Sequence, residues 1–279
     1  MGLFDKKDCS ICGAKIGLLG NRKLKDGNMC KDCAGKLSVW FQDRSDSTVA
    51  EIQNQLGVRK AYADLLEKGF NATRAYGEFG CILIDDIMGN FVALPDTSDS
   101  FFGDAKVITS IDQIKDKHPD VIMFNQVEGV DINVTVTSRE EKQTVDGNQV
   151  SYNPRHMIYM AQFSVTIRIK NHPFIKKMTV PLNNGAIQIR NMGERKVTEY
   201  KDTVKAMLTG YKGPEFEIEN RSAFYNNNSL KDLILRTEYD LPDYAYGFKV
   251  DKLTNWKQIQ EYQYYLAMAE EIKAALENY

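Results

Sequence analysis

Residues 9–33 read CSICGAKIGLLGNRKLKDGNMCKDC and contain two Cys-x2-Cys pairs with 17 residues between them. A gap of two residues lets one tight turn present both sulfurs to one ion, and zinc prefers four thiolates in a tetrahedron. The spacer length is typical of paired zinc cysteines. The sequence therefore predicts one structural zinc ion per chain, held by the cysteines at four positions: Cys9, Cys12, Cys30 and Cys33.

Paired cysteines have three other common uses besides zinc binding. Disulfides require an oxidising compartment, and the N-terminus MGLFDKKDCS lacks an apolar signal core, so we expect a cytoplasmic protein. A redox Cys-x2-Cys belongs where a strand meets the helix of a βαβ unit, and no such pattern surrounds these pairs. Spacing alone does not separate zinc from a four-cysteine iron site. Four thiolates close the coordination shell, which predicts a structural metal rather than a catalytic one.

The residues around the cysteines predict a small finger over residues 1–47. Gly13 suits the turn after the first pair because glycine accepts positive φ. Residues 15–19 and 22–25 predict the arms of a hairpin, and residues 34–37 predict a helical turn. This order of knuckle, hairpin and helix-borne second pair is similar to a treble-clef or zinc-ribbon finger. The finger has few large apolar residues, so we expect it to depend on the metal to fold.

Hydrophobic periodicity organises the rest of the chain. Thr48-x2-Glu51 predicts a capping box, and residues 48–78 are assigned to a connecting amphipathic helix. From residue 79 the period becomes two, most clearly over residues 157–170, where Phe163 and Val165 are predicted to face the core.

The predicted fold class is α+β: a four-cysteine finger and helix, then an antiparallel β barrel or sandwich with a long C-terminal helix. About seven strands over residues 79–190 favour the barrel or sandwich. Residues 254–278 carry apolar residues at steps of three and four, which predicts a helix packed on the β domain rather than a coiled coil. The β-rich domain is thus assigned to residues 79–279, with an insertion over 191–250 that fits no regular pattern.

Composition excludes several classes of protein. The chain has 279 residues, 43 % of them hydrophobic, and a net charge of −2. A disordered chain would have fewer hydrophobic residues, and a protein coated for bulk nucleic-acid binding would be basic. Uninterrupted apolar runs, such as residues 121–124, are far too short to span a membrane.

The N-terminal sequence resembles a bacterial family, domain of unknown function 4428, a short zinc-ribbon-like module. The resemblance rests on CSICG, on LKDGNMCKDC and on the following STVAEIQNQLGVR at residues 47–59, which occur in this order. It implies the four cysteines as metal ligands and implies no activity. The downstream strands and closing helix are similar to bacterial pleckstrin-homology-like domains, and residues 191–250 depart from that pattern.

No catalytic motif stands out, so we expect a protein that is not an enzyme. The three histidines fall in predicted turns or at a strand start, where solvated side chains are the rule. Asp85 and Asp86 are neighbours on a predicted strand, so their side chains point to opposite faces. We find no nucleophile elbow, phosphate loop, dinucleotide fingerprint or zinc-protease helix.

Two hypotheses of binding remain: an adaptor that binds another protein, and a nucleic-acid-binding zinc ribbon. The second relies on Arg22, Lys23 and Lys25, which are close together on the predicted hairpin. Residues 1–47 contain nine Lys and Arg against six Asp and Glu, and four thiolates with one zinc ion bring the finger to about +1. Nucleic-acid modules carry stronger positive patches, so a protein partner is favoured. No pattern indicates an oligomeric state.

Overall fold

The finger contains two short hairpins rather than one. The structure, a computed structural model, describes residues 7–17, 19–77, 81–95, 116–183, 185–194, 214–219, 257 and 260–278. Strand β1 (Lys7–Asp8) pairs with β2 (Lys15–Ile16), and β3 (Arg22–Lys23) pairs with β4 (Asn28–Met29). The predicted pairing of residues 15–19 with 22–25 is wrong, because the cysteine turn closes the first hairpin and the Asp-Gly turn closes the second.

Two helical elements follow the hairpins. Helix α1 (Lys31–Ala34) is a single turn, and a 3-10 turn (Arg44–Asp46) leads to helix α2 (Val49–Lys68). The predicted capping box is present at the start of α2, where Thr48 and Glu51 exchange hydrogen bonds. The carboxylate of Asp26 also accepts the Val49 N–H at 2.8 Å, which ties the second hairpin to the first turn of α2.

Helix α2 packs against two different partners along its length. Its first half buries Ile52 completely in the core of the finger. Its second half places Leu66 on a cluster that includes Leu83 and Val92 of the β domain. Because one continuous helix belongs to both cores, the finger has a fixed position on the β domain.

The β domain consists of two antiparallel sheets. The first contains, in hydrogen-bonded order, β5 (Arg74–Tyr76), β6 (Cys81–Asp85), β7 (Asn90–Leu94) and β8 (Val121–Met123). The second contains β9 (Val127–Val145), β10 (Asn148–Ile169), β11 (Lys177–Pro181), β12 (Ile187–Glu194) and β13 (Pro214–Glu219). Strand β10 is central, since β9 pairs along one edge while β11 and β12 share the other. The sequence also predicts a strand over residues 106–110, and this segment and most of the 191–250 insertion lie outside the described residues.

One large core joins both sheets to the C-terminal helix. Phe163 and Val165 of β10 are fully buried, as the alternation predicts, and Phe91 of the first sheet belongs to the same cluster. Helix α3 (Gln260–Glu277) contributes Tyr262, whose ring centroid lies 4.9 Å from that of Phe163. The prediction that this helix packs on the β domain is confirmed.

The sequence predicts a barrel or a sandwich, and the barrel is wrong because the sheets are not closed within the described residues. Closing the sheets into a barrel would require a strand paired with the edge of β9 that faces away from β10. Near the start of β9, the backbone groups of that edge are hydrogen-bonded to side chains of helix α3 instead. The Val130 N–H donates to the Glu277 carboxylate at 2.7 Å, and the Lys273 ammonium donates to the Val130 carbonyl at 2.8 Å. As the predicted α+β class requires, the chain combines helices with antiparallel sheets. No helix in the described ranges is long and apolar enough to cross a membrane.

A buried polar network locks the finger, α2 and the β domain together. Asp120 is 1 % exposed, and its carboxylate accepts the Ser38 hydroxyl at 2.6 Å and the Arg59 guanidinium at 2.6 Å. The same guanidinium donates to the carbonyls of Lys36 at 2.7 Å and His118 at 2.8 Å. A buried carboxylate is stable only when it is paired and hydrogen-bonded, so this network favours a single arrangement of the three parts.

Candidate metal centre

The first cysteine pair lies in the turn between β1 and β2. The Gly13 N–H donates to the Cys9 carbonyl at 2.8 Å, and the Cys9 N–H donates to the Ala14 carbonyl at 2.8 Å. Gly13 has a φ of 76°, in the left-handed region that favours glycine. The turn thus needs glycine at this position to bring Cys9 and Cys12 to one side.

The second pair lies at the start of α1. Cys30 is the N-cap residue, and its Sγ accepts the Cys33 N–H at 3.4 Å. The Cys30 N–H in turn donates to Cys9 Sγ at 3.3 Å, which links the two pairs directly. Hydrogen bonds from N–H groups stabilise the charged form of a sulfur, so the local backbone is arranged for thiolates.

The structure brings the four predicted sulfurs together. They lie within 4.8 Å of one another, and Cys12 Sγ is 3.8 Å from Cys30 Sγ. In a tetrahedral site with metal–sulfur bonds of about 2.3 Å, neighbouring sulfurs are about 3.8 Å apart. A disulfide requires about 2.05 Å, and all five cysteines are free. The four cysteines could therefore hold one metal ion, and the Cys12–Cys30 distance fits a tetrahedral site.

The sulfurs do not ionise equally in the absence of a cation. Burial raises the pKa of Cys9, but N–H groups of Cys30, Cys12 and Ile11 outweigh it and lower this pKa to about 6. Burial, together with the three surrounding cysteines, raises the pKa of Cys33 far above its ordinary value. Adjacent thiolates repel one another, so a bound cation is what allows all four to lose their protons.

An apolar core surrounds three of the four sulfurs. Cys9, Cys30 and Cys33 are buried with Leu24 and Met29, whereas Cys12 is exposed. Burial in this core restricts access of water and chelators to one side of the site. Four protein sulfurs leave no position for substrate, which is typical of structural sites.

One comparison with known proteins matches the segment that contains this site. A family model described as "Domain of unknown function (DUF4428)" covers residues 7–55. The finger matches the DUF4428 family. The matched segment, here named the DUF4428 module, includes all four cysteines and the first turns of α2. The module extends into α2, where the side chain of Ile52 is part of the core of the finger. Neither the curated proteins nor the solved structures contain a match to the chain, so the pleckstrin-homology likeness stays a prediction.

The three basic residues singled out in the module differ in exposure. Lys23 and Lys25 are exposed, whereas Arg22 is half-buried and its guanidinium donates to the carbonyls of Leu19 and Asn21. Arg22 therefore holds its own turn together. Sequence reasoning missed Arg44, whose guanidinium reaches the Lys23 carbonyl at 3.3 Å across 21 residues.

The remaining polar candidates have structural partners. Asp85 is fully buried and accepts N–H groups of the hairpin turn and of Asn71, while Asp86 pairs with the Arg74 guanidinium. His172 is not a solvated turn histidine. Its Nε2 lies 2.8 Å from the Tyr62 hydroxyl, and burial lowers its pKa. These groups stabilise turns and the packing of α2, and they do not converge on one point.

Proposed function

We propose that the protein is a cytoplasmic, non-enzymatic adaptor that binds another protein and is stabilised by one structural zinc ion. The observation that carries the proposal is the set of four cysteine sulfurs within 4.8 Å of one another, three of them from residues buried in an apolar core. When bound, zinc would cross-link the two hairpins and α1 without supplying an open coordination position. Cys9, Cys12, Cys30 and Cys33 would hold it.

The packing of α2 supports a role in binding. The DUF4428 module is fixed to the β domain by the shared helix and by the Arg59–Asp120 network. A fixed pair of domains presents one continuous surface, and such a surface loses little conformational entropy when a partner docks. The closed sulfur site favours this role over metal catalysis.

Nucleic-acid binding through Lys23, Lys25 and Arg22 is the alternative function. Two of these side chains are exposed, which favours it, but the half-buried Arg22 is engaged in its own turn. With a charge near +1 over residues 1–47, we expect DNA and RNA affinities within the non-specific range, roughly 10⁻⁴–10⁻⁶ M at physiological salt. Titration of mixed-sequence DNA and RNA at two salt concentrations measures this.

The matched variant in that titration is the triple change Arg22→Glu, Lys23→Glu and Lys25→Glu. Weak affinity that the triple change barely alters is the expected result for an adaptor. Sub-micromolar affinity that falls steeply with salt and disappears in the triple variant would replace the adaptor by a nucleic-acid-binding protein. Stoichiometric capture of a protein partner by the metal-loaded full chain, lost in the Cys30→Ser variant, is the expected positive result.

A further inference from the structure

A cleft of about 300 Å³ lies between the segment after α1, the first turns of α2 and the loop from β10 to β11. This size is at the lower end of ligand pockets, which are roughly 300–1,000 Å³. The segment before α2 provides one wall and the β domain provides the other, so the cleft exists only because the two are fixed together.

The walls of the cleft are acidic. Three carboxylates line it, from Asp43, Asp46 and Glu51, against one ammonium group, from Lys176. The Glu51 carboxylate accepts the Thr48 N–H, a contact that lowers the pKa of Glu51 and keeps its charge. The lining therefore carries a net charge of −2. Such a lining attracts cations and repels phosphate groups.

The Lys176 ammonium group already lies beside the acidic wall of the cleft, and only a weak ion pair holds it there. Its Nζ lies 3.8 Å from the Asp43 carboxylate, and the two side chains are 88 % and 65 % exposed. Exposed pairs of this kind contribute only about 0–1 kcal/mol. An ammonium or guanidinium group from another molecule can therefore take the place of Lys176 at little cost.

The inner part of the cleft adds aromatic and amide groups. The rings of Phe41 and Phe174 meet edge to face with centroids 6.4 Å apart. Gln55 is 1 % exposed, and its amide oxygen accepts the Ser38 N–H at 3.1 Å. Within the described residues, the NH₂ group of Gln55 donates to no partner. Because Gln55 lines the cleft, its NH₂ group can donate to a ligand that brings an acceptor such as a carbonyl oxygen.

We propose that this cleft binds a basic peptide segment of the partner protein, with an arginine or lysine side chain between the carboxylates and a backbone carbonyl at Gln55. This assignment rests on the proposed adaptor function and names the chemistry of its partner. Arginine suits the site because guanidinium groups pair with carboxylates and pack on aromatic rings. A free polyamine satisfies the carboxylates but has no acceptor for Gln55.

The test uses the metal-loaded full chain and the capped peptide acetyl-Gly-Arg-Gly-Arg-Gly-amide. Two-dimensional NMR should show millimolar or tighter binding, with shifts of the Gln55 side-chain NH₂ and of the Asp43 and Asp46 amides. The same peptide with citrulline, which keeps the shape but not the charge, should cause no shifts. Spermidine should bind more weakly and leave the Gln55 signal unchanged. The absence of shifts with the arginine peptide at millimolar concentration overturns the proposal, and a matching Gln55 response to spermidine overturns the peptide assignment.

Variants separate local binding from general charge. The double change Asp43→Asn and Asp46→Asn should weaken the arginine peptide about tenfold, whereas Lys176→Met should tighten it about threefold. The control is Asp64→Asn with Glu67→Gln, which removes two charges from exposed positions elsewhere on α2 and should change nothing. If the wild type and the Asp43→Asn, Asp46→Asn variant capture a protein partner equally, the cleft is not the binding site of that partner, and the adaptor function is retained. Peptide binding at the cleft without any protein partner contradicts the adaptor function alone.

Discussion

Removal of the metal is expected to unfold the DUF4428 module and the first turns of α2 while the two sheets stay folded. Three of the eight buried residues in the core of the module are the metal ligands Cys9, Cys30 and Cys33, so the small apolar core that remains is not expected to hold the fold without the metal. Structural zinc contributes roughly 10–16 kcal/mol in finger peptides, which is comparable to the roughly 5–15 kcal/mol stability of a whole native protein. Hydrogen exchange before and after chelation should show full loss of protection over residues 7–55 and retained protection in β10.

Two substitutions provide the comparison for chelation. Cys30→Ser removes one ligand and should reproduce the unfolded module even in excess zinc. Cys81→Ala removes the fifth cysteine, which is buried in β6 away from the site, and should leave protection of the module unchanged. A metal-free protein whose residues 7–40 remain protected would contradict the dependence on metal.

Phe163→Ala should destabilise the β domain by roughly 3–5 kcal/mol. Phe163 is fully buried in β10, and its ring lies 4.9 Å from Tyr262 and 5.6 Å from Tyr265 of α3, measured between centroids. Truncation therefore leaves a cavity where the second sheet meets α3, and packed neighbours close such cavities only in part. Urea unfolding followed by a probe of the β domain measures the loss.

Thr166→Ala is the matched change on the other face of the same strand. The Thr166 hydroxyl lies 3.0 Å from the Thr179 hydroxyl and accepts the Asn133 side-chain amide, both on the exposed face. Its loss should cost well under about 1 kcal/mol. Equal costs for Phe163→Ala and Thr166→Ala would mean that β10 does not present Phe163 to the core.

Local sequence patterns predicted the elements best where one interaction dominates. The alternation around Phe163 specifies one buried face, so both the strand and its orientation followed from the sequence. Strands β6 and β7 are buried throughout, which explains their uninterrupted apolar runs. The cysteine spacing fixed the candidate site for the same reason, because four thiols have few alternative uses outside an oxidising compartment.

Features that depend on distant segments were not predictable. The Arg59–Asp120 pair joins residues 61 positions apart, and nothing in either local sequence marks it. The open β9 edge depends on Lys273 and Glu277, which reach it from the other end of the chain. Pairing within the finger was mispredicted because each short strand has several candidate partners of equal propensity. The acidic cleft needs three separate segments and was missed for the same reason.

X-ray absorption at the zinc edge on the purified full chain, together with its metal content, tests the metal assignment most directly. We expect one zinc ion per chain with four sulfur neighbours at about 2.3 Å. The Cys30→Ser variant should lose the metal. Iron in place of zinc, or a first shell dominated by nitrogen or oxygen, would contradict a structural four-cysteine zinc site.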